Sequence, residues 1–385
     1  MDFQINEDQR AFADMAQQLF ADYCSDEQLR AHDASSEPFM RGLWDQCVAA
    51  SLHNILVPEG AGGLGQGLTE LMVVLEQQGR ALALVPLWEQ QLAMAALARF
   101  APAALSQPVL EKAQIGEPLA LSLTALVKQH GSELQMQRTD DGWLLRGTAP
   151  AVPLADQASY VLLAVSALEN GASEPRLVLV PLNQAGVQKT SGRTQHHLAV
   201  ADLHFDAVPV RIESVLPASA NEWIEPRAIA CLAALQMGVT QQQLRRTVDY
   251  ISERRQFDRV IGSFQLVAGQ MADGHIALEA LRTSVWQLVY RLDAGLGAAP
   301  QAWATRALAN DTGHRAGHMA QHVHGGMGVD ISYPIHRFLY WSRALNVVLG
   351  GTEHQLARLG DWLACNDKLG WKYDFAEDTP QDSAL

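Results

Sequence analysis

The stretch YISERRQFDRVIGSFQLVAGQMAD, residues 250–273, closes one helical pattern and opens another. Ahead of it, Leu232, Leu235, Val239, Leu244, Val248 and Ile251 recur at helical spacing and predict one long helix. Behind it, a second helix is predicted from about Leu266 to Asp293. Arg254, Gln256, Phe257 and Gln265 thus fall on a long helical hairpin. GLGAAP separates a third helix, roughly Gln301 to Val323, and HGGMG interrupts the pattern at 324–328. A last helix is predicted from near Thr352 to Cys365, which makes residues 216–365 a four-helix bundle.

Upstream of this bundle the period is different. LALSLT (119–124), ELQMQ (133–137), WLLRG (143–147), YVLLAV (160–165), RLVLVPL (176–182) and LHF (203–205) are short β-type runs, with turn signals such as Asp140-Asp141-Gly142 between them. They predict a small β-barrel or sandwich over residues 116–215. Residues 1–115 read as helices again. Asn6 is a plausible N-cap for a helix whose stripe runs through Phe12, Met15, Ala16, Leu19, Phe20 and Tyr23. A second helix fits Pro38 to Ala50, the glycine-rich VPEGAGGLGQG (57–67) is a loop, and helix resumes from Thr69 towards Phe100. The fold class expected is α+β: an N-terminal helical domain, a central β domain and a C-terminal helical bundle. The acidic tail 366–385 is expected to be partly disordered. A cleft between helical and β parts is the default place for a cofactor.

Composition bounds the partners. The 385 residues carry a net charge of −14, with 48% hydrophobic and 18% charged residues. No basic block stands against that acidity, so nucleic acid is not an expected partner. Cys24, Cys47, Cys231 and Cys365 are far apart and form no CxxC pair, so reduced thiols are expected, with no disulfide framework and no metal site. No signal peptide and no bilayer-spanning apolar run is visible, and the expected compartment is the cytoplasm.

Four stretches in order resemble the acyl-CoA dehydrogenase family over residues 1–365. DFQINEDQRAFADMAQQLF is similar to its opening helix, and ILVPEGAGGLG to its PE-x-GG-x-G loop. YISERRQFDRVIGSFQ resembles Y-x-x-x-R-x-Q-F-G-x-x-I-x-x-F-Q, and HVHGGMGVDISYPIHRFLYWSRA resembles Q-x-x-GG-x-G-x-x-x-x-Y-P-x-x-R-x-x-R-D-A. The resemblance implies FAD as cofactor and α,β-dehydrogenation of an acyl-CoA thioester, with an electron-transfer flavoprotein as acceptor. A carboxylate takes a proton from Cα while Cβ gives up hydride.

The resemblance also implies roles for single residues. Arg254 matches an arginine on the FAD pyrophosphate, for which a guanidinium fork is well suited. Gln256 and Gln265 go with it, and Phe257, Ile261 and Phe264 would wall the adenine side. Gly325 and Gly326, after His324, would let backbone approach a phosphate. The same spacings also fit a surface arginine pair, core aromatics and a glycine C-cap. In the family's tetramers these groups reach the cofactor held mainly by a neighbouring subunit.

The groups that would hold this chain's own flavin are eroded. The family's T-E-P is Thr124-Ala125-Leu126, its G-S-D survives loosely as Gly131-Ser132-Glu133, and its K-x-W-I-T-N strand aligns with Ala149 to Leu154. His322 stands where a flavin-contacting glutamine is usual; Thr352 and His354 are further candidates for cofactor contact. The catalytic glutamate of Y-E-G-T is Gly350, in Leu349-Gly350-Gly351-Thr352, and an alternative base position near Ala228 is also empty. Glu222, Glu225 and Glu353 could be relocated bases, yet each is equally a helix N-terminal acid favoured by the dipole. His324 and His354 have a suitable intrinsic pKa. Three functions remain open: a subunit completing the FAD site of a glutamate-bearing paralogue in a heterotetramer, as in bacterial enzymes for steroid side-chain or other bulky acyl-CoAs; a self-sufficient homotetramer with a relocated base; and a non-redox acyl-CoA-binding scaffold.

Overall fold

The computed structural model describes residues 4–127, 134–169 and 172–366. Gly131-Ser132-Glu133 and most of the acidic tail lie outside them. In chain order the helices are α1 (Glu7–Tyr23), α2 (Asp26–Asp33), α3 (Arg41–Ala49), α4 (Leu68–Ala81), α5 (Leu87–Phe100) and α6 (Ala103–Gln114). Strands follow: β1 (Ala120–Ser122), β2 (Gln135–Thr139), β3 (Gly142–Pro153), β4 (Tyr160–Glu169), β5 (Ala172–Pro181), β6 (Val187–Arg193) and β7 (Ala199–Val210). Then come α7 (Ser219–Glu253), the short pair β8 (Arg255–Gln256) and β9 (Arg259–Val260), α8 (Gln265–Asp293), α9 (Ala299–His324), α10 (Gly326–Val329), α11 (Ile335–Val347) and α12 (Thr352–Cys365). Helices, sheet and helices thus follow one another as the α+β reading expects.

Contacts divide the chain into two compact units that cut across this order. One holds residues 1–31, 68–83 and 229–385; the other holds 32–67 and 84–228. The N-terminal helices are therefore shared out between them.

In the first unit, α4 and α7 cross at glycines. A Cβ on Gly79 would stand 2.2 Å from the Leu235 carbonyl oxygen, and one on Gly238 would stand 2.0 Å from that of Glu76. Only glycine permits this approach of two backbones. Asp293, the last residue of α8, caps α4 from across the bundle: its carboxylate accepts from the Leu68 and Thr69 amides at 2.8 and 3.1 Å. The Asn6 cap of α1 is a full capping box, with Gln9 N donating to Asn6 Oδ1 at 2.8 Å and Asn6 N donating to Gln9 Oε1 at 3.0 Å.

The second unit contains the sheet, in the order β1-β4-β2-β3-β7-β6, with β5 paired to β4. Inward residues of six strands, among them Trp143, Leu145, Leu163, Val178, Leu203 and Phe205, meet in one buried core. Alternation along each strand produces this inner face.

Three local expectations are corrected. The helix expected from Thr69 towards Phe100 is two helices: Leu82 adopts φ 55° and the Ala83 amide turns back to the Gln78 carbonyl, ending α4, while Pro86 precedes α5. The helical hairpin carrying Gln256 and Phe257 is interrupted by the β8–β9 hairpin. The strand expected to reach Thr124 stops at Ser122, and Thr124 begins a single 3₁₀ turn, Thr124–Leu126. α2, α6, α10, α11 and β6 are additional to the sequence reading.

Candidate functional site

The site builds up from two helix ends in the first unit. Tyr250 lies one turn before Arg254 on α7, and His324 is the last residue of α9. Their rings stack with centroids 4.2 Å apart and 21° between planes. Tyr333, at the Tyr-Pro step before α11, leans on both at 6.3 and 5.5 Å. Three motif fragments distant in sequence are thereby joined: Tyr250 before Arg254, His324 before Gly325, and Tyr333 before Pro334.

His324 is buried. Its Nδ1 shares a hydrogen bond with the Ala320 carbonyl at 2.8 Å, and Nε2 has no hydrogen-bond partner among the described residues. Burial lowers its pKa, only partly offset by the Ala320 bond, so the ring is neutral near pH 7. A neutral, stacked ring of this kind joins elements rather than exchanging protons with solvent.

Past these helix ends the surface is open. Gly325 has φ 57°, and Cβ atoms added at Gly325 or Gly326 would meet nothing within 4 Å. His322 in the last turn of α9 is exposed. Arg254 and Gln256 are exposed as well, and the two-residue turn of the β8–β9 hairpin is Phe257-Asp258, with φ of 53° and 65°. Such a turn suits Asn-Gly; holding phenylalanine and aspartate there costs on the order of 1–2 kcal/mol per residue. The strain presents Phe257 at 85% exposure, edge-on to Phe264 at 6.2 Å, and the Arg259 guanidinium covers the Phe264 ring at 3.9 Å. Ile261 sits in the 3₁₀ turn after β9, Gln265 opens α8, and Leu266 is also 85% exposed.

Position 350, where the resemblance would put the catalytic glutamate, is crowded. Leu349 and Gly350 have φ of 57° and 80°, and a Cβ on Gly350 would lie 2.7 Å from His354 Cδ2. Three successive carbonyls of this strap are each held by a side chain. Arg306 of α9 donates to Val348 O at 2.6 Å and also to Leu345 O. Gln355 of α12 donates to Leu349 O, and Asn310 of α9 donates to Gly350 O at 3.5 Å. Arg306 is fully buried, and burial pulls its pKa down to about 9. Two carbonyls at the C-terminal end of α11 favour its charge. Sequence reasoning missed this clasp; an arginine and an asparagine four apart in an otherwise apolar helix segment were its one signal.

Thr352 and Glu353 form the first turn of α12, Thr352 half-buried and Glu353 exposed. Glu225 is half-buried on the part of α7 that belongs to the second unit, as does Thr124. At the aligned strand, Ala149 and Val152 point into the β core while Pro150 and Ala151 are exposed, so no ring-packing or hydroxyl side chain is offered there. One further acid stands out in the second unit. Glu89, in the first turn of α5, is buried, and desolvation pushes its carboxyl up to about 8, opposed by bonds from its own amide and from Trp88. Among the described residues no group of three or more His, Cys, Asp or Glu could hold a metal ion, and no helix is long and apolar enough to cross a membrane.

Comparison with known proteins gives this arrangement its class. The model of the acyl-CoA dehydrogenase N-terminal domain matches residues 6–117, and that of the C-terminal domain matches residues 228–364. The chain is 31% identical over 382 residues to acyl-CoA dehydrogenase FadE27 of Mycobacterium tuberculosis, covering 94% of this chain and 99% of the relative. FadE28 of the same organism is 30% identical over 82% of this chain and 91% of its own length. This chain belongs to the acyl-CoA dehydrogenase family.

Among solved structures, the Tcur3481-Tcur3483 steroid ACAD variant matches with a TM-score of 0.85 and 34% identity, covering 93% of this chain and 98% of that one. The ChsE4-ChsE5 complex from Mycobacterium tuberculosis matches with a TM-score of 0.88 and 31% identity, covering 95% and 100%. PigA in complex with FAD shares the fold at a TM-score of 0.83 and 19% identity, over 94% of this chain and 99% of that one.

Proposed function

We propose that this chain is the subunit of an FAD-dependent acyl-CoA dehydrogenase that completes a flavin site for a partner bearing the catalytic carboxylate. One observation carries this: position 350 has neither a carboxylate nor room for one, because His354 and a left-handed backbone close it. Asn310, Gln355 and Arg306 fix that closure. Glu353 and Glu225, the carboxylates that could stand in for it, lie on separate compact units.

The groups directed outward fit a diphosphate-bearing cofactor. Gly325 and Gly326 leave space for close backbone approach, and Arg254 can meet a diphosphate with its fork. Gln256, Phe257, Ile261, Phe264 and Gln265 would line the nucleotide side, with His322, Thr352 and His354 as further contacts. When bound, FAD supplies the two-electron acceptor for dehydrogenation. This chain's residues bind its phosphates and shield it from water; proton abstraction from Cα falls to the partner. Exposed Phe257, Leu266, Val329 and Ile331 are apolar surface of the kind that a protein partner covers.

Kinship with a steroid acyl-CoA dehydrogenase and with a two-component complex favours a bulky, steroid-like acyl-CoA as substrate and a paralogous subunit as partner. An electron-transfer flavoprotein is the acceptor in this scheme. The test is to co-express the chain with a glutamate-bearing paralogue and substitute Arg254→Met here alone. FAD retention and turnover by the complex should fall about tenfold or more, the value of one or two charge-assisted bonds. An unchanged flavin content would remove Arg254, and with it the shared site.

A further inference from the structure

Five helices of the first unit, α1, α2, α4, α7 and α11, line a cavity of about 200 Å³. Arg80 of α4, Arg245 and Arg246 of α7, and Arg337 of α11 line it, and among the described residues lining it Asp26 is the only carboxylate. The lining thus carries three more positive than negative charges, in a protein whose net charge is −14. Asp26 is fully engaged: Arg246 grips both its oxygens at 2.9 and 3.0 Å, and the same guanidinium lies 5.5 Å from the Phe338 ring centroid. Arg80 donates to Gln77 at 3.3 Å, and Arg337 is 7% exposed. Phe20 and Leu29 supply an apolar wall.

We infer that this cavity is a binding site for a small phosphate-bearing anion, separate from the flavin corner. Guanidinium groups converging from different helices recognise phosphate through paired N–H donors. A monocarboxylate would answer only part of the excess charge, whereas a phosphate or diphosphate dianion answers most of it. The volume is below that of pockets for drug-sized ligands, so a headgroup with a short organic part fits and a whole dinucleotide does not. The site does not depend on the proposed partner role, because none of its arginines belongs to that corner.

The test uses the full chain, co-purified with whatever partner it retains, titrated calorimetrically with pyrophosphate and with acetate at matched ionic strength. Pyrophosphate should bind at a site that acetate does not occupy and that persists in Arg254→Met, the background in which the diphosphate contact of the flavin corner is removed. Arg80→Gln combined with Arg245→Gln should weaken it about tenfold or more. Arg245→Glu alone, at an exposed position that cannot unfold the chain, should also weaken it. Equal binding of acetate, an unaffected Arg80→Gln/Arg245→Gln protein, or loss of binding in Arg254→Met would overturn the inference.

Discussion

The His354 ring occupies the space that a side chain on Gly350 would need, with Cδ2 only 2.7 Å from the Cβ position. A side chain at position 350 is therefore opposed by the surrounding structure and not only by the residue that stands there. Gly350→Glu should neither confer dehydrogenase activity on the isolated chain nor leave its stability intact. Steric overlap and a φ of 80° should cost about 2–4 kcal/mol. Urea unfolding would measure it, and Gly350→Glu with His354→Ala should recover part of the loss.

Arg306 holds the strap that carries Gly350. Arg306→Ala leaves two carbonyls, the buried Leu345 O and the half-buried Val348 O, without their donor. The expected loss is about 2–5 kcal/mol in denaturant unfolding. Arg306→Lys, which keeps a charge but loses the planar fork, should fall between. No loss in either protein would mean that the clasp does not hold the strap.

Glu89 makes stability depend on pH. Its folded pKa of about 8 lies above the unfolded value of about 4.3, so the folded chain keeps a proton that the unfolded chain has released. Stability should therefore fall as pH rises from about 5 to 8. Glu89→Gln should remove this component and be more stable than the parent at pH 8 by roughly 2–5 kcal/mol. Comparing the two proteins isolates Glu89 from buried histidines such as His53 and His324, whose lowered pKa values destabilise at acid pH instead.

The α4–α7 crossing sets a steric limit. Gly238→Ala places a Cβ 2.0 Å from the Glu76 oxygen, and Gly79→Ala repeats the clash from the other side. Each should cost about 2–4 kcal/mol, since the backbones must separate. A change under about 0.5 kcal/mol, the range of ordinary surface substitutions, would mean that the helices yield freely.

Much of this was legible in the sequence. Helical and alternating periods gave the order of helices and strands, and the motifs around Arg254 and Gly325 named the corner that the Tyr250–His324 stack assembles. That a glycine stands at position 350 could be read from one stretch, LGGT. What could not be read depends on backbone angles and long-range approach. Leu82 ends α4 by a left-handed turn that a leucine does not advertise. The closure of position 350 comes from His354, Asn310 and Arg306, which no local pattern connects. The four arginines of the cavity are spread from Arg80 to Arg337, and only the helical packing of the first unit brings them together.

We propose that this chain lends half of a flavin site and leaves the base to a partner. The most direct measurement is the visible flavin absorbance and acyl-CoA-dependent bleaching of the chain, expressed alone and then with a glutamate-bearing paralogue. The prediction is a chain that does not bleach with any acyl-CoA by itself, and a yellow, active complex with both subunits present. Flavin in the isolated chain that bleaches on adding an acyl-CoA would contradict the account.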